Sequence, residues 1–166
     1  MSLFLTVGTQ LPFDRLVRAV DAWAGRQKTQ DIEIFGQIGG LQRTSYRPSN
    51  FEWTEFLDPE TFSRRFHKAT HIVAHAGMGT IISSLMVNKP ILVLPRLAVL
   101  SEQRNDHQIA TVEKFADRPG VMAVLDEKDV ADALTEMTQL PQTTGCGIGD
   151  LADQSLTQAI REQIMA

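Results

Sequence analysis

His71-Ile72-Val73-Ala74-His75-Ala76-Gly77-Met78-Gly79-Thr80 is the stretch on which the fold turns. Its first half is a short apolar run with β-branched residues. Its second half holds two glycines and a hydroxyl, and leads into Ile81-Ile82-Ser83-Ser84-Leu85, which reads as a helix to about Val87. A strand that passes through a glycine turn straight into a helix is the βα joint of a parallel sheet. Lys89-Pro90 then breaks the helix, and Ile91-Leu92-Val93-Leu94 follows, apolar at every position and stopped by Pro95. Strands with no polar alternation are buried on both faces, so helices must cover the sheet on both sides.

The same alternation extends in both directions. Residues 3–7 form an apolar strand closed by Gly8-Thr9-Gln10, and Pro12 opens a helix with Phe13, Leu16, Val17, Val20 and Trp23 at 3.6-residue spacing. Residues 31–36 read as a second strand, Gly36, Gly39 and Gly40 as turns, and 51–56 as a third, peripheral strand. Asp58-Pro59 supplies an N-cap and a first helical position, with Phe62, Phe66 and Ala69 on the buried face. A helix over 106–115, a strand over 121–125 and a helix buried through Val130, Ala133, Leu134 and Met137 complete the series. The expectation is one Rossmann-like α/β domain over 1–141, a mainly parallel sheet with helices on both faces. A glycine- and threonine-rich linker over 142–150 follows, then a C-terminal helix over 151–166 carrying Leu156, Ile160 and Ile164.

Composition narrows the function. The chain has 166 residues and a formal net charge of -4, with no dense run of Lys or Arg, which argues against nucleic acid as a partner. Cys146 is the only cysteine, so an internal disulfide and a multi-cysteine metal site are excluded. The apolar N-terminus has no basic flank and meets Gly8 almost at once, so it reads as a strand rather than a signal peptide. No apolar run approaches the roughly 20 residues of a membrane helix. The expected location is cytoplasmic.

Ligands of open parallel sheets sit beyond the carboxyl ends of the strands, where three loops carry unusual residues. Gly8-Thr9-Gln10 allows close backbone approach and offers polar contacts. His75-Ala76-Gly77-Met78-Gly79-Thr80 turns free N–H groups and the positive end of a helix dipole outward, which suits a diphosphate without a metal. Its spacing is neither the dinucleotide fingerprint nor the P-loop. The third loop, from Pro95-Arg96 to Gln108, contains Ser101-Glu102-Gln103-Arg104-Asn105-Asp106-His107-Gln108. Asn105 or Asp106 suits a helix cap, and the whole cluster suits sugar hydroxyls, which need fixed donors and acceptors.

Taken in order, Val7-Gly8-Thr9, His75-Ala76-Gly77-x-Gly79-Thr80, Lys89-Pro90 and Asn105-Asp106-His107-Gln108 resemble the C-terminal, donor-binding domain of MurG-like GT-B glycosyltransferases, glycosyltransferase family 28. The likeness spans roughly 3–137. It is nearest to stand-alone versions of that domain: the small subunit of the two-part dolichol-linked N-acetylglucosamine transferase, and small subunits of split bacterial polysaccharide transferases. The resemblance implies half of a GT-B fold and a UDP-sugar donor. Gly8, Thr9, Gln10, His75, Gly77, Met78, Gly79, Thr80 and Ser83 would meet the nucleotide and its diphosphate. Arg96, Asn105, Asp106, His107 and Gln108 would meet the donor sugar. Ser83 stands where many members carry a Glu that binds ribose.

The expected reaction is transfer from a UDP-sugar to a lipid-linked acceptor with inversion, in polysaccharide or glycolipid synthesis, with no cofactor and no metal. The acceptor domain, the membrane anchor and the catalytic base come from a second subunit; His75 and His107 are the alternative bases within this chain. Isolated, the chain is a candidate for self-association. Met78, Met86, Leu97, Val99 and Leu100 are candidates for the partner surface. Two other readings compete. One is a non-catalytic stabilising or regulatory subunit. The other is a dinucleotide-dependent oxidoreductase, disfavoured because Ile34-Phe35-Gly36 ends the second strand without an acidic ribose ligand.

Overall fold

The computed structural model describes residues 1–9, 11–27 and 32–139; Gln10, the linker expected at 142–150 and the helix expected at 151–166 lie outside them. The elements are β1 (Ser2–Thr6), α1 (Asp14–Arg26), β2 (Glu33–Gln37), β3 (Glu52–Thr54), α2 (Pro59–Lys68), β4 (His71–His75), α3 (Met78–Met86), β5 (Ile91–Leu94), α4 (His107–Phe115), β6 (Val121–Ala123) and α5 (Val130–Gln139). Two 3-10 turns, Ala98–Leu100 and Glu127–Asp129, interrupt the loops after β5 and β6.

The six strands form one sheet in the order β3-β2-β1-β4-β5-β6, and every neighbouring pair is parallel. Successive residues of a strand point to opposite faces, which explains the unbroken apolar runs. Leu3, Leu5, Val73, Leu92 and Leu94 pack against α1 and α5 through Leu16, Val20, Trp23, Leu134 and Met137. Phe4, Ile72, Ala74, Ile91 and Val93 pack on the other face against Phe66 of α2, Ile81 and Leu85 of α3, and Val112 and Phe115 of α4. The strand order reverses between β1 and β4, the point at which the connecting loops of an open parallel sheet diverge at the carboxyl edge and ligands generally bind.

One feature differs from the sequence expectation. The first helix begins at Asp14, with Phe13 at its cap in a non-helical conformation and Pro12 outside it. The carbonyls of Leu11 and Pro12 are turned toward the Arg96 guanidinium, so the turn before the helix is set by a distant side chain. The crossover from β2 to β3, read from the sequence as turns, contains no helix. Carboxylates hold this irregular segment instead. Asp21 of α1 accepts hydrogen bonds from the Tyr46 hydroxyl at 2.6 Å and from the backbone N–H groups of Ser49 and Asn50 at 3.1 and 2.8 Å. Asp14 accepts from the Tyr46 N–H at 2.9 Å.

Helix α2 keeps its expected start: the Asp58 side chain accepts from the Thr61 N–H at 2.9 Å, and Pro59 is its first residue. Its far end is closed by the Lys89 ammonium, which donates to the carbonyls of His67 and Ala69. A cation at a helix C-terminus satisfies free carbonyls and complements the dipole. Among the described residues no helix is long and apolar enough to cross a membrane.

Candidate functional site

Gly8 leaves β1 with φ +80, a left-handed conformation natural to glycine. Its carbonyl lies 3.5 Å from the Gln37 side-chain amide, whose oxygen accepts from the Leu57 N–H at 3.2 Å. One buried amide therefore ties the loop after β1 to the loop after β3. Thr9 beside it is exposed.

His75 ends β4, and its ring lies against two glycines. A Cβ at Gly8 would stand 3.0 Å from its Cε1, and a Cβ at Gly77 only 2.5 Å from its Nε2. Burial, aided by the charge of Arg96, pushes the imidazole down to about 4, against an opposing pull from the Thr6 backbone. The ring is neutral at physiological pH and carries a single N–H. Its Nδ1 is buried and has no hydrogen-bond partner of good geometry among the described residues.

Helix α3 starts just beyond, with Gly77 at the cap and no side chain capping its first turn. The N–H groups of that turn are thus left for solvent or a ligand. Met78 and Gly79 are exposed and Thr80 is half-buried. A Cβ at Gly79 would meet nothing within 4 Å, so the space over the helix start is open. That opening continues into a groove of about 450 Å³ between α2 and α3, lined in part by Phe62, Phe66, Gly79, Thr80, Ser83 and Met86. Ser83 is exposed on the groove, whereas Ser84 is buried and donates to the Lys89 carbonyl at 2.9 Å.

The loop after β5 divides into an inward and an outward part. Arg96 and Gln108 are each only 3% exposed. The Arg96 guanidinium donates to the carbonyls of Val7 (2.9 Å), Leu11 (2.6 Å), Pro12 (2.8 Å) and Glu102 (3.3 Å), and lies 4.7 Å over the Phe13 ring. Gln108 accepts the Arg96 N–H at 3.0 Å. Burial pushes this guanidinium down to about 10, partly offset by Glu102, so it stays protonated at neutral pH. Asn105, Asp106 and His107 remain exposed. Asn105 Oδ1 contacts His107 Nδ1. Asp106 occupies the cap position of α4, but its carboxylate accepts from the Ala98 N–H at 2.8 Å instead of capping the helix.

Two site-shaping groups carry little signal in the sequence. One is Gln37. The other is the pair Arg15–Glu102, two hydrogen bonds of 3.0 and 2.9 Å that anchor the loop after β5 to α1. A polar residue at a strand end, and two charges 87 positions apart, become significant only once the fold joins them. Among the described residues no group of three or more His, Cys, Asp or Glu side chains is placed to hold a metal ion.

An uncapped helix start, a left-handed glycine loop and a neutral histidine lie around one opening, and free N–H groups so placed suit an anion. Known proteins share this architecture. MurG from Acinetobacter baumannii superimposes with a TM-score of 0.65 at 17% identity, over 96% of this chain and 49% of that one. The solution structure of ALG13 gives 0.62 at 18% identity, over 96% of this chain and 94% of that one. The glycotransferase of kitacinnamycin gives 0.61 at 19% identity, over 83% and 34%. The chain thus spans between a third and a half of the two larger proteins and almost the whole of ALG13. No curated protein matches it in sequence. The model of the glycosyltransferase family 28 C-terminal domain matches residues 2–145, and the chain belongs to that family.

Proposed function

We propose that this chain is the donor-binding part of a split, inverting glycosyltransferase that moves a sugar from a UDP-sugar to a lipid-linked acceptor. The observation that carries the reading is the uncapped start of α3 facing the open edge between β1 and β4, next to Gly8 and the neutral His75. The diphosphate would accept hydrogen bonds from the first-turn N–H groups and the Thr80 hydroxyl, and Ser83 would meet the ribose from the groove. Asn105, Asp106 and His107 would face the donor sugar. Preorganised donors around a departing diphosphate are worth several kcal/mol, roughly, without a metal. Arg96 and Gln108, buried and mutually engaged, act from beneath the site rather than on the sugar.

A partner would supply the acceptor site, the base and attachment to a membrane. The distribution of exposed apolar side chains supports this. Leu11, Phe56, Met78, Val99, Leu100 and Leu125 all lie at the carboxyl edge of the sheet, around the proposed site; Met1 and Met86 are the large exposed hydrophobics elsewhere among the described residues. Apolar surface gathered around a polar opening suits a second domain closing over it. Val99, on the turn after β5, is its most exposed member at 85%, and its neighbour Leu100 is 53% exposed.

The test is calorimetric titration with UDP and then with UDP-hexoses, on the chain alone and co-purified with its partner. Saturable binding that Thr80→Ala weakens by about tenfold or more, the loss of one charge-assisted hydrogen bond, supports the donor site. Absence of binding in both states defeats it. The second reading, a subunit kept for docking alone, is favoured by Ser83, which is shorter than a carboxylate and uncharged. It predicts that Thr80→Ala leaves partner activity intact while Val99→Asp abolishes it.

A further inference from the structure

Arg96 sits at the end of β5 with its side chain directed into the protein. Three of the four carbonyls that receive its guanidinium, those of Val7, Leu11 and Pro12, bracket the loop that carries Gly8 and Thr9. Its main-chain N–H is fixed from the other side by Gln108 of α4. The arginine therefore joins the loops after β1 and β5 through a rigid planar fork.

Its charge is not neutralised by these bonds. Among the described residues no carboxylate oxygen hydrogen-bonds to the guanidinium. Glu102, whose carbonyl does, commits its carboxylate to Arg15 and to the Leu97 N–H. A buried cation that hydrogen-bonds only to carbonyls, with Glu102 offsetting it in part, is costly and leaves a positive field that solvent ions screen poorly. That field reaches His75, whose protonation it disfavours, so it extends to the opening at the carboxyl edge.

We infer that Arg96 is a positioning residue and internal counter-charge for the diphosphate: it touches no part of the nucleotide, shapes the Gly8–Thr9 loop through three carbonyls and supplies positive potential from below. The inference rests on the donor-site reading above. It gives the site a buried charge in the role that a metal or a surface lysine plays elsewhere.

UDP binding is measured by calorimetry, and uridine binding by NMR titration, on the full chain and on Arg96→Lys and Arg96→Met. The lysine keeps the charge but loses the fork, and UDP affinity is expected to fall about 10-fold. The methionine loses both, and the fall is about 100-fold, the scale of one unit charge acting across several ångströms at an intermediate dielectric. Uridine, which has no phosphate, is expected to change by less than about twofold in either variant, a split that general damage to the fold would not produce. UDP affinity of Arg96→Met within about twofold of wild type, or an equal loss for uridine and UDP, overturns the inference. If both variants melt, Gln108→Leu decides: it keeps the arginine, removes its main-chain acceptor and is expected to weaken UDP binding about threefold, so unchanged binding overturns the inference too. A wild-type chain that binds uridine and UDP equally well, or that binds neither, whether alone or co-purified with its partner, refutes the donor site itself, which is a different outcome from a wild type that prefers UDP and an Arg96→Met variant that does so equally.

Discussion

Gly77→Ala places one methyl group where the structure leaves no room. The backbone at Gly77, φ -85 and ψ 124, suits any residue, so the substitution brings no backbone strain. The cost lies in the contact: the new Cβ would stand 2.5 Å from Nε2 of His75, 3.1 Å from Cε1 and 3.2 Å from Cδ2. Carbon contacts settle near 3.5–4 Å, so the ring must shift by about 1 Å. Gly8 also abuts that ring and limits its escape. Overpacking of this kind costs about 1–3 kcal/mol, offset by roughly 0.4–1 kcal/mol because alanine restricts the unfolded chain. The net loss is about 1–2 kcal/mol, a fall in Tm of about 2–8 °C for a chain of this size. Thermal unfolding followed by circular dichroism reads it. In a His75→Ser background the same substitution is expected to be neutral or stabilising, a coupling of about 1–2 kcal/mol. A Gly77→Ala single variant that melts at or above wild type would refute the wedged ring, and with it the described geometry of the opening.

Gly79→Ala points its methyl into open space. It is expected to raise stability by up to about 1 kcal/mol while weakening UDP binding in calorimetry; unchanged binding would show that the space over α3 is not used. Asp21→Ala strands the Tyr46 hydroxyl and two backbone N–H groups, a loss of about 3 kcal/mol in urea unfolding. Burial alone would raise this carboxyl, but hydrogen bonds from Tyr46, Asn50 and Ser49 hold it below its ordinary 3.8. Its contribution is complete above that value and fades as pH falls through the lower folded value. His75 acts at higher pH. Its ring titrates near 4 in the folded chain against 6.5 when unfolded, so stability is complete above about pH 6.5 and declines as pH falls toward 4. The decline attributable to His75 is about 3 kcal/mol, and comparing urea midpoints of wild type and His75→Gln at pH 7 and pH 4.5 isolates it. Lys89→Met uncaps α2 and should cost about 1–2 kcal/mol with UDP affinity unchanged.

The layered fold was legible because burial on both faces leaves an unmistakable trace. Leu92 and Leu94 serve one core, Ile91 and Val93 the other, and the chain has no polar residue to spare in that strand. The helices were legible by the same period argument, and Asp58-Pro59 marked the start of α2 correctly. The crossover from β2 to β3 was legible as turns from its glycines, but what holds it was not, because its order comes from Asp14 and Asp21 on another element, and nothing local in 38–51 announces them. In the candidate site, glycine positions were readable from the βα joint. The direction of polar side chains was not. Arg96 and Asn105 look alike as polar residues of one loop, yet one is directed into the core and the other to solvent, a choice made by carbonyls more than eighty residues upstream.

The two outermost strands, β3 and β6, are only three residues long each. A visiting strand laid along either margin would find a ladder of two or three main-chain bonds, too few to repay the ordering of its own backbone. Growth of the sheet from one molecule to the next is therefore blocked at both margins, and the protein resists the ribbon-like stacking to which open parallel sheets are prone. Association is left to loops and helix surfaces, whose shape and side chains differ from one protein to another, so an exclusive partner is easier to select than a generic one.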